Sequence, residues 1–213
     1  MNNKEGRVYL VGGVNGVGKS SLLQEISANY PEFEVFKGSA KFMEWLGLPP
    51  GDYKALQELP DDYKNLEVCK MMMQIFKSKP RPGKTLLIDA HYFNYKQGAL
   101  IDATGEWVSF LDALFVVLAP PETILQRLEL DQTTKDRARD ILPPNADYNK
   151  KIEMLYGFIQ ATINKAQELS QKYKIPYFLI NNGSEGFGHA VEEFLGYHAV
   201  INSNISSKIN DQK

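Results

Sequence analysis

A glycine-rich stretch near the amino terminus, GGVNGVGKSS, has the residues needed to hold a triphosphate. Residues 13 to 20 within it fit the pattern G-x-x-x-x-G-K-[ST]. Glycines allow the backbone dihedrals that turn successive N–H groups inward, and the lysine and serine that end the pattern can reach the phosphates and a Mg²⁺ ion. We therefore predict that one continuous loop binds Mg-ATP. Its residues are Gly13, Val14, Asn15, Gly16, Val17, Gly18, Lys19, Ser20 and Ser21.

Two polar residues close the apolar stretch TLLIDAH, residues 85 to 91. Asp89 ends a predicted strand, where an acidic side chain can hold the water shell of Mg²⁺ together with the Ser20 hydroxyl. A turn or helix-cap aspartate is the alternative, and if the acceptor is an alcohol, Asp89 becomes the candidate general base. His91 could orient an acceptor hydroxyl or phosphate, or be a hydrogen-bonded structural histidine.

Arginines are few and unevenly distributed: the chain has five, and three fall within residues 127 to 139. Guanidinium groups bind phosphate oxygens in pairs and stay charged at any relevant pH. A mobile segment that carries them over a transferring phosphoryl group would stabilise its charge and exclude water. We expect such a lid at 132 to 144, with a solvated charged loop as the alternative. The residues to which we assign catalytic roles are Lys19, Arg127, Arg137 and Arg139.

The composition is that of an ordinary globular chain. Hydrophobic residues make up 43% and charged residues 23% of the 213 residues, and the formal net charge is −2. This near-neutral balance argues against broad adhesion to nucleic acid or membranes, and no apolar run is long enough to predict a spanning helix. The single cysteine, Cys69, and the absence of a signal-peptide pattern favour a reduced cytoplasmic compartment.

Short apolar runs alternate along the chain with amphipathic segments. The runs predict strands, and the segments predict helices with one apolar face. Strands that are apolar on both faces and alternate with helices indicate an α/β fold, in which helices cover both sides of a parallel sheet. We expect one domain over residues 1–197 and a polar tail at 198–213. The predicted strands are 7–12, 33–36, 85–91, 113–120 and 176–181, and the predicted helices are 19–30, 40–47, 61–78, 121–131, 146–173 and 187–196.

In their order and spacing these pieces resemble the archaeal-type adenylate kinases, within the P-loop nucleoside monophosphate kinases. The similarity lies in the glycine loop, YKALQELPDDYKNLEVCKMMM, LLIDAHY, ILQRL followed by TKDRARD, and EMLYG. The resemblance implies a three-layer fold with a five-stranded parallel sheet in the order 2-3-1-4-5, and transfer of the ATP γ-phosphoryl to a nucleoside monophosphate. It places Arg127 near the nucleotide and the acceptor-binding region at about 37–78. The residues that would line the acceptor are Gly38, Ser39, Asp89 and His91.

The middle of the chain departs from this pattern in its charges. Many monophosphate kinases grip the acceptor phosphate with arginines, but between Ser21 and Gln126 the only arginine is Arg81. Lysines in this stretch could substitute as point charges with less precise geometry. The expected acceptor is a nucleoside monophosphate, and the main alternative is a small-molecule alcohol. A regulatory ATP-binding or ATPase module is a third hypothesis.

Overall fold

Five strands form the central sheet of the computed structural model, which describes residues 6–78, 80–96, 99–134, 141–183 and 187–210. Every pairing between these strands is parallel. The strands are β1 (Arg7–Gly12), β2 (Phe33–Lys37), β3 (Thr85–Asp89), β6 (Ala113–Leu118) and β7 (Tyr177–Asn181). They lie in the order β2-β3-β1-β6-β7. Counted within this sheet alone, the order is 2-3-1-4-5, and the predicted fold is confirmed.

Helices cover both faces of the sheet. Successive residues of a strand point to opposite faces, so Tyr9 and Val11 join one buried cluster and Leu10 joins the other. The helices are α1 (Lys19–Asn29), α2 (Gly38–Trp45), α3 (Tyr53–Glu58), α4 (Asp61–Lys77), α5 (Pro121–Thr134), α6 (Tyr148–Tyr173) and α7 (Phe187–Asn210). Helices α1 and α7 pack on the first face, and α4 packs on the second. No helix in the described parts of the chain is long and apolar enough to cross a membrane.

Because the five strands are parallel, their carboxyl ends meet at one edge, which we call the carboxyl edge, and their amino ends meet at the opposite, amino edge. The register aligns Val11 of β1 with Asp89 of β3, and Lys37 of β2 with the same Asp89. The glycine loop follows β1 and Asp89 ends β3, so both lie at the carboxyl edge. Ligands of open parallel sheets bind at this edge.

The segment between β3 and β6 contains elements that the sequence did not predict. An antiparallel hairpin forms from β4 (Phe93–Lys96) and β5 (Ala99–Asp102), and a 3-10 helix follows at Glu106–Phe110. Lys165 of α6 forms an ion pair with Asp102 at 2.9 Å. The hairpin was missed because its strands are four residues long and only partly apolar, which gives too short a pattern to recognise.

The last helix is longer than the sequence indicated. Helix α7 runs to Asn210, whereas the polar composition suggested a tail from residue 198 onward. Ile201 is 5% exposed, and Nδ1 of His198 lies 3.0 Å from the Tyr9 hydroxyl oxygen. With Phe194, these residues continue one inward face at helical spacing. A few well-placed contacts therefore extend the helix through a stretch of mostly polar residues.

Candidate nucleotide-binding site

The glycine loop connects β1 to α1 and has the backbone geometry that its glycines predict. Gly16 and Gly18 have φ angles of +90° and +86°, in the left-handed region that other residues rarely occupy. The Val17 N–H donates to the Val14 carbonyl at 3.3 Å, which closes a turn inside the loop. Val14 and Val17 are buried in the core, whereas Asn15 is half-buried. The two valine side chains anchor the loop in the core, and the loop backbone can then contact a ligand.

Three side chains from other elements each bind a carbonyl oxygen of this loop. His91, after β3, donates from Nδ1 to the Gly13 oxygen at 3.0 Å, since a carbonyl oxygen can only accept. Arg127 of α5 donates to the Gly16 oxygen at 3.3 Å. Asn182, after β7, donates from Nδ2 to the Val17 oxygen at 2.7 Å. These bonds hold three loop carbonyls by contacts from outside the loop.

Lys19, Ser20 and Asp89 meet at the start of α1. The Lys19 ammonium donates to Oδ1 of Asp89, and the Ser20 hydroxyl donates to Oδ2 at 2.9 Å. Ser21, the next residue, is exposed on the first turn of the helix. These contacts bring three predicted site residues together. The loop pattern predicts that Lys19 binds phosphate and Ser20 binds the metal, and the strand pattern predicts that Asp89 lies on the metal side.

The predicted acceptor residues lie next to this cluster. Gly38 begins α2, and a Cβ atom there would lie 2.8 Å from the backbone oxygen of Asp89, so only glycine fits without a shift. Ser39 follows on the exposed side of the same turn. His91 is half-buried and contacts the loop through Gly13, which supports a structural role, while its role toward an acceptor stays a prediction.

The predicted acceptor region, residues 37–78, has six lysines and no arginine. Three of its lysines form ion pairs three residues along their helices. The pairs are Lys41 with Glu44 at 2.8 Å, Lys64 with Asp61 at 2.6 Å, and Lys70 with Glu67 at 2.6 Å. Arg81 precedes β3 and therefore lies at the amino edge, opposite the loop, so it is not placed to bind an acceptor beside Asp89.

Comparison with known proteins places this site in a family. A family model described as an AAA domain matches residues 12–142, which include the loop, Asp89, His91 and Arg127. The chain belongs to this AAA domain family. No curated protein matches the chain. The more specific resemblance to archaeal-type adenylate kinases stays a prediction.

Solved structures share the fold of this chain across most of its length. Shikimate kinase from Bacteroides thetaiotaomicron superposes with a TM-score of 0.60 at 9% sequence identity, covering 91% of this chain and 98% of that one. TT1252 from Thermus thermophilus gives a TM-score of 0.50 at 15% identity, covering 92% and 98%. At these identities the likeness shows a common fold.

The predicted lid, residues 132–144, lies partly outside the described residues, because 135–140, with Arg137 and Arg139 among them, are not described. Where the structure describes the lid region, α5 continues to Thr134, beyond the predicted lid start at 132. At the far end of the region, Ile141 is 2% exposed and packs in the core. The lid therefore stays a prediction, bounded on both sides by packed structure.

Two residues that contact the loop region, Asn182 and Tyr92, were not predicted from the sequence. Asn182 is 2% exposed. Tyr92 is fully buried, and a Cβ atom at Gly12 would lie only 2.4 Å from its ring. Burial raises the pKa of Tyr92, so its hydroxyl stays protonated and donates to the Phe115 carbonyl at 3.2 Å. The sequence places two asparagines, Asn181 and Asn182, at the end of an apolar strand, but no local pattern shows which of them faces the loop. Tyr92 had no usable signal, because a buried aromatic residue reads as core.

Proposed function

We propose that this protein is a phosphotransferase that moves the γ-phosphoryl group of Mg-ATP to a small acceptor. The proposal rests on the hydrogen bonds of Lys19 and Ser20 to Asp89. They lie beside a loop whose carbonyl oxygens accept hydrogen bonds from side chains of other elements. An ammonium, a hydroxyl and a carboxylate at the positive end of a helix form the set that phosphoryl transfer requires. The fold shared with shikimate kinase supports the same class of reaction.

The residues present fit a magnesium ion. Ser20 Oγ and Asp89 Oδ2 are oxygen donors 2.9 Å apart, and Mg²⁺ prefers oxygen ligands and commonly takes few from the protein. When bound there, the ion would neutralise charge on the β- and γ-phosphate oxygens. Lys19 would turn from Asp89 to the phosphates, and the N–H groups at the start of α1 would donate to them.

The acceptor that we propose first is a nucleoside monophosphate, on the strength of the resemblance to adenylate kinases. Its phosphate oxygen forms the new bond to the γ-phosphorus while the bond from that phosphorus to the oxygen of ADP breaks. The attacking oxygen is already anionic, so no general base is needed. Catalysis would then come from alignment of the two substrates and from charge stabilisation by Lys19 and the lid arginines, Arg137 and Arg139.

A small-molecule alcohol is the second candidate, and the charges of the acceptor region favour it. Residues 37–78 lack arginine, so the bidentate grip on a second phosphate group is absent, and three of their six lysines are engaged in ion pairs. In this case Asp89 takes the hydroxyl proton as the oxygen attacks the γ-phosphorus, and ADP leaves. Asp89 would then act as the general base.

A panel of acceptors tests both candidates. The purified protein would be incubated with Mg-ATP and each nucleoside or deoxynucleoside monophosphate, then with small polyols and sugars, and the products separated by ion-exchange chromatography. A diphosphate product establishes the first candidate, and a phosphate monoester establishes the second. ATP hydrolysis that no acceptor accelerates would contradict both and favour a regulatory ATPase module.

A further inference from the structure

Asn182 is a buried polar residue to which the reaction described above gives no part. It is 2% exposed, and its backbone N–H donates to the Leu118 carbonyl at 2.8 Å, which extends the pairing of β6 with β7 by one residue. The side-chain amide donates to the Val17 oxygen at 2.7 Å. Both the backbone and the amide of Asn182 are therefore held in place. Buried amides are seldom kept without such partners.

The bond from Asn182 acts on a single peptide unit of the loop. In a trans peptide the carbonyl oxygen and the following N–H point in opposite directions, so fixing the Val17 oxygen toward Asn182 turns the Gly18 N–H to the other side. Gly18 is the N-cap of α1 and has φ of +86°. Its N–H therefore adds to the N–H groups at the positive end of this helix.

The packing around this peptide leaves no room for a side chain at Gly18. A Cβ atom at Gly18 would lie 2.4 Å from Asn182 Nδ2 and 3.2 Å from a guanidinium nitrogen of Arg127. Arg127 binds the neighbouring Gly16 carbonyl at 3.3 Å and is only half-buried. The bond from Asn182 is shorter and more deeply buried, and it is the one that holds the Val17–Gly18 peptide itself.

We propose that Asn182 is a positioning residue, which holds the Val17–Gly18 peptide so that the Gly18 N–H faces a bound triphosphate. The proposal rests on the proposed function, because it requires that the loop binds a triphosphate. It assigns to Asn182 an effect on the phosphates of the ligand, transmitted through the loop, and no contact with the base or sugar. This distinction makes the proposal testable.

The test compares the wild-type protein with Asn182→Leu, which keeps the shape of the side chain and removes the donor. Binding of Mg-ATP would be measured by calorimetry, and binding of Mg-tripolyphosphate, which has no base or sugar, by competition. We expect both dissociation constants to rise by the same factor, about tenfold, which corresponds to one lost hydrogen bond. The matched control is Asn181→Leu at the exposed neighbouring position, which should bind both ligands as the wild type does.

A second variant, Asn182→Asp, covers the case in which the leucine variant fails to fold. An ionised carboxylate cannot donate to the Val17 oxygen, but a protonated one can. Relative to the wild type at each pH, Asn182→Asp should bind Mg-tripolyphosphate weakly at pH 8 and recover as the pH falls toward 5. A constant ratio across that range would overturn the proposal.

The remaining outcomes separate this proposal from the proposed function. If the wild type binds ATP and Asn182→Leu weakens ATP alone, Asn182 recognises the base or sugar, and the positioning role is wrong. If the variant folds and binds both ligands as the wild type does, the positioning role is also wrong, while the proposed function stands. If the wild type binds neither ligand, the proposed function fails and takes this proposal with it.

Discussion

The Lys19 ammonium donates to one carboxylate oxygen of Asp89, and the Ser20 hydroxyl donates to the other at 2.9 Å. The side chains of Lys19 and Asp89 are 6% and 12% exposed, so water screens the pair little. Removing one partner of such a pair leaves the other charge uncompensated. On the proposed function, a triphosphate would supply Lys19 with a new anion and release Asp89 for a metal or an acceptor proton.

Replacing Asp89 should separate its two proposed roles. As a general base, Asp89→Asn should lower transfer to an alcohol by about 10³-fold even at saturating Mg²⁺, because the amide cannot accept the proton. As a metal-side group, the same variant should lower transfer to a phosphate acceptor, with part of the loss restored by raised Mg²⁺. Initial rates over a Mg²⁺ series with each acceptor measure the difference.

The control for this variant is Asp112→Asn, which breaks the ion pair between Asp112 and Arg7 at the amino edge, 2.8 Å in length. It should lower the melting temperature and leave the rate of the folded protein unchanged. If Asp89→Asn matched Asp112→Asn in both respects, Asp89 would have no place in the site.

Gly18 should be intolerant of any side chain, for two separable reasons. Gly18→Ala adds a strained left-handed alanine and a Cβ atom 2.4 Å from Asn182 Nδ2. We expect the dissociation constant for Mg-ATP to rise on the order of a hundredfold, because the loop must shift to relieve both the strain and the clash.

Gly47→Ala is the matched control, since Gly47 has φ of +69° in open space, so an alanine there is strained but meets no clash. It should cost about 1 kcal/mol of unfolding free energy and leave ATP binding intact. Equal ATP affinity in the two variants would refute the steric argument.

The lid arginines should affect the rate more than the affinity for ATP. Arg137→Ala and Arg139→Ala should each lower kcat on the order of 10³-fold, because guanidinium groups that close on a transferring phosphoryl group stabilise charge in the transition state. The dissociation constant for ATP, measured by calorimetry, should change little. Arg81→Ala, at the amino edge, serves as the control and should change neither quantity. Comparable losses of rate and ATP affinity in the lid variants would argue against a lid.

The ion pair between Asp102 of the hairpin and Lys165 of α6 should stabilise the protein to a degree that depends on pH. Burial would raise the pKa of Asp102, but hydrogen bonds from Thr104 and Lys165 outweigh it and lower the pKa. A lowered folded-state pKa stabilises the fold above the ordinary aspartate pKa, and this stabilisation is lost as the pH falls through the folded value. Asp102→Asn should therefore melt at a lower temperature than the wild type between pH 5 and 9. We expect the difference in unfolding free energy between the two proteins, about 1 kcal/mol for a half-exposed ion pair, to disappear below about pH 4.

Thermal melting across this pH range measures the effect, and Glu153→Gln is the control. Glu153 forms an exposed ion pair with Lys150 on α6, which solvent screens. A gap between wild type and Asp102→Asn that persisted unchanged at pH 3 would show that the ion pair is not its source.

Features that local pattern determines were predictable from the sequence. The apolar run from Ala113 to Leu118 predicts a strand that is buried on both faces. The glycine spacing predicts the left-handed backbone at Gly16 and Gly18, just before Lys19. The approach of Lys19 and Ser20 to Asp89 also follows, since parallel strands bring residues after β1 and at the end of β3 to the same edge.

Features that depend on distant packing were not predictable. Asn182 binds a carbonyl 165 residues away, and no local pattern distinguishes it from the exposed Asn181 beside it. The hairpin is anchored by contacts such as the one between Tyr95 and Thr162, 67 residues apart. The continuation of α7 depends on single residues, such as Ile201, that meet the core, while composition indicates a polar tail.

The proposed phosphoryl transfer is tested most directly by following the γ-phosphoryl group itself. Mg-ATP labelled at the γ-position would be incubated with the acceptor panel and with the wild type, Lys19→Met, or the control Lys165→Met, whose lysine is paired with Asp102 and Glu168 away from the loop. The proposed phosphotransferase activity requires that label passes to one acceptor faster than to water with the wild type and the control, and that Lys19→Met abolishes the transfer. Label that appears only as inorganic phosphate, at a rate that neither acceptors nor Lys19→Met change, would contradict it.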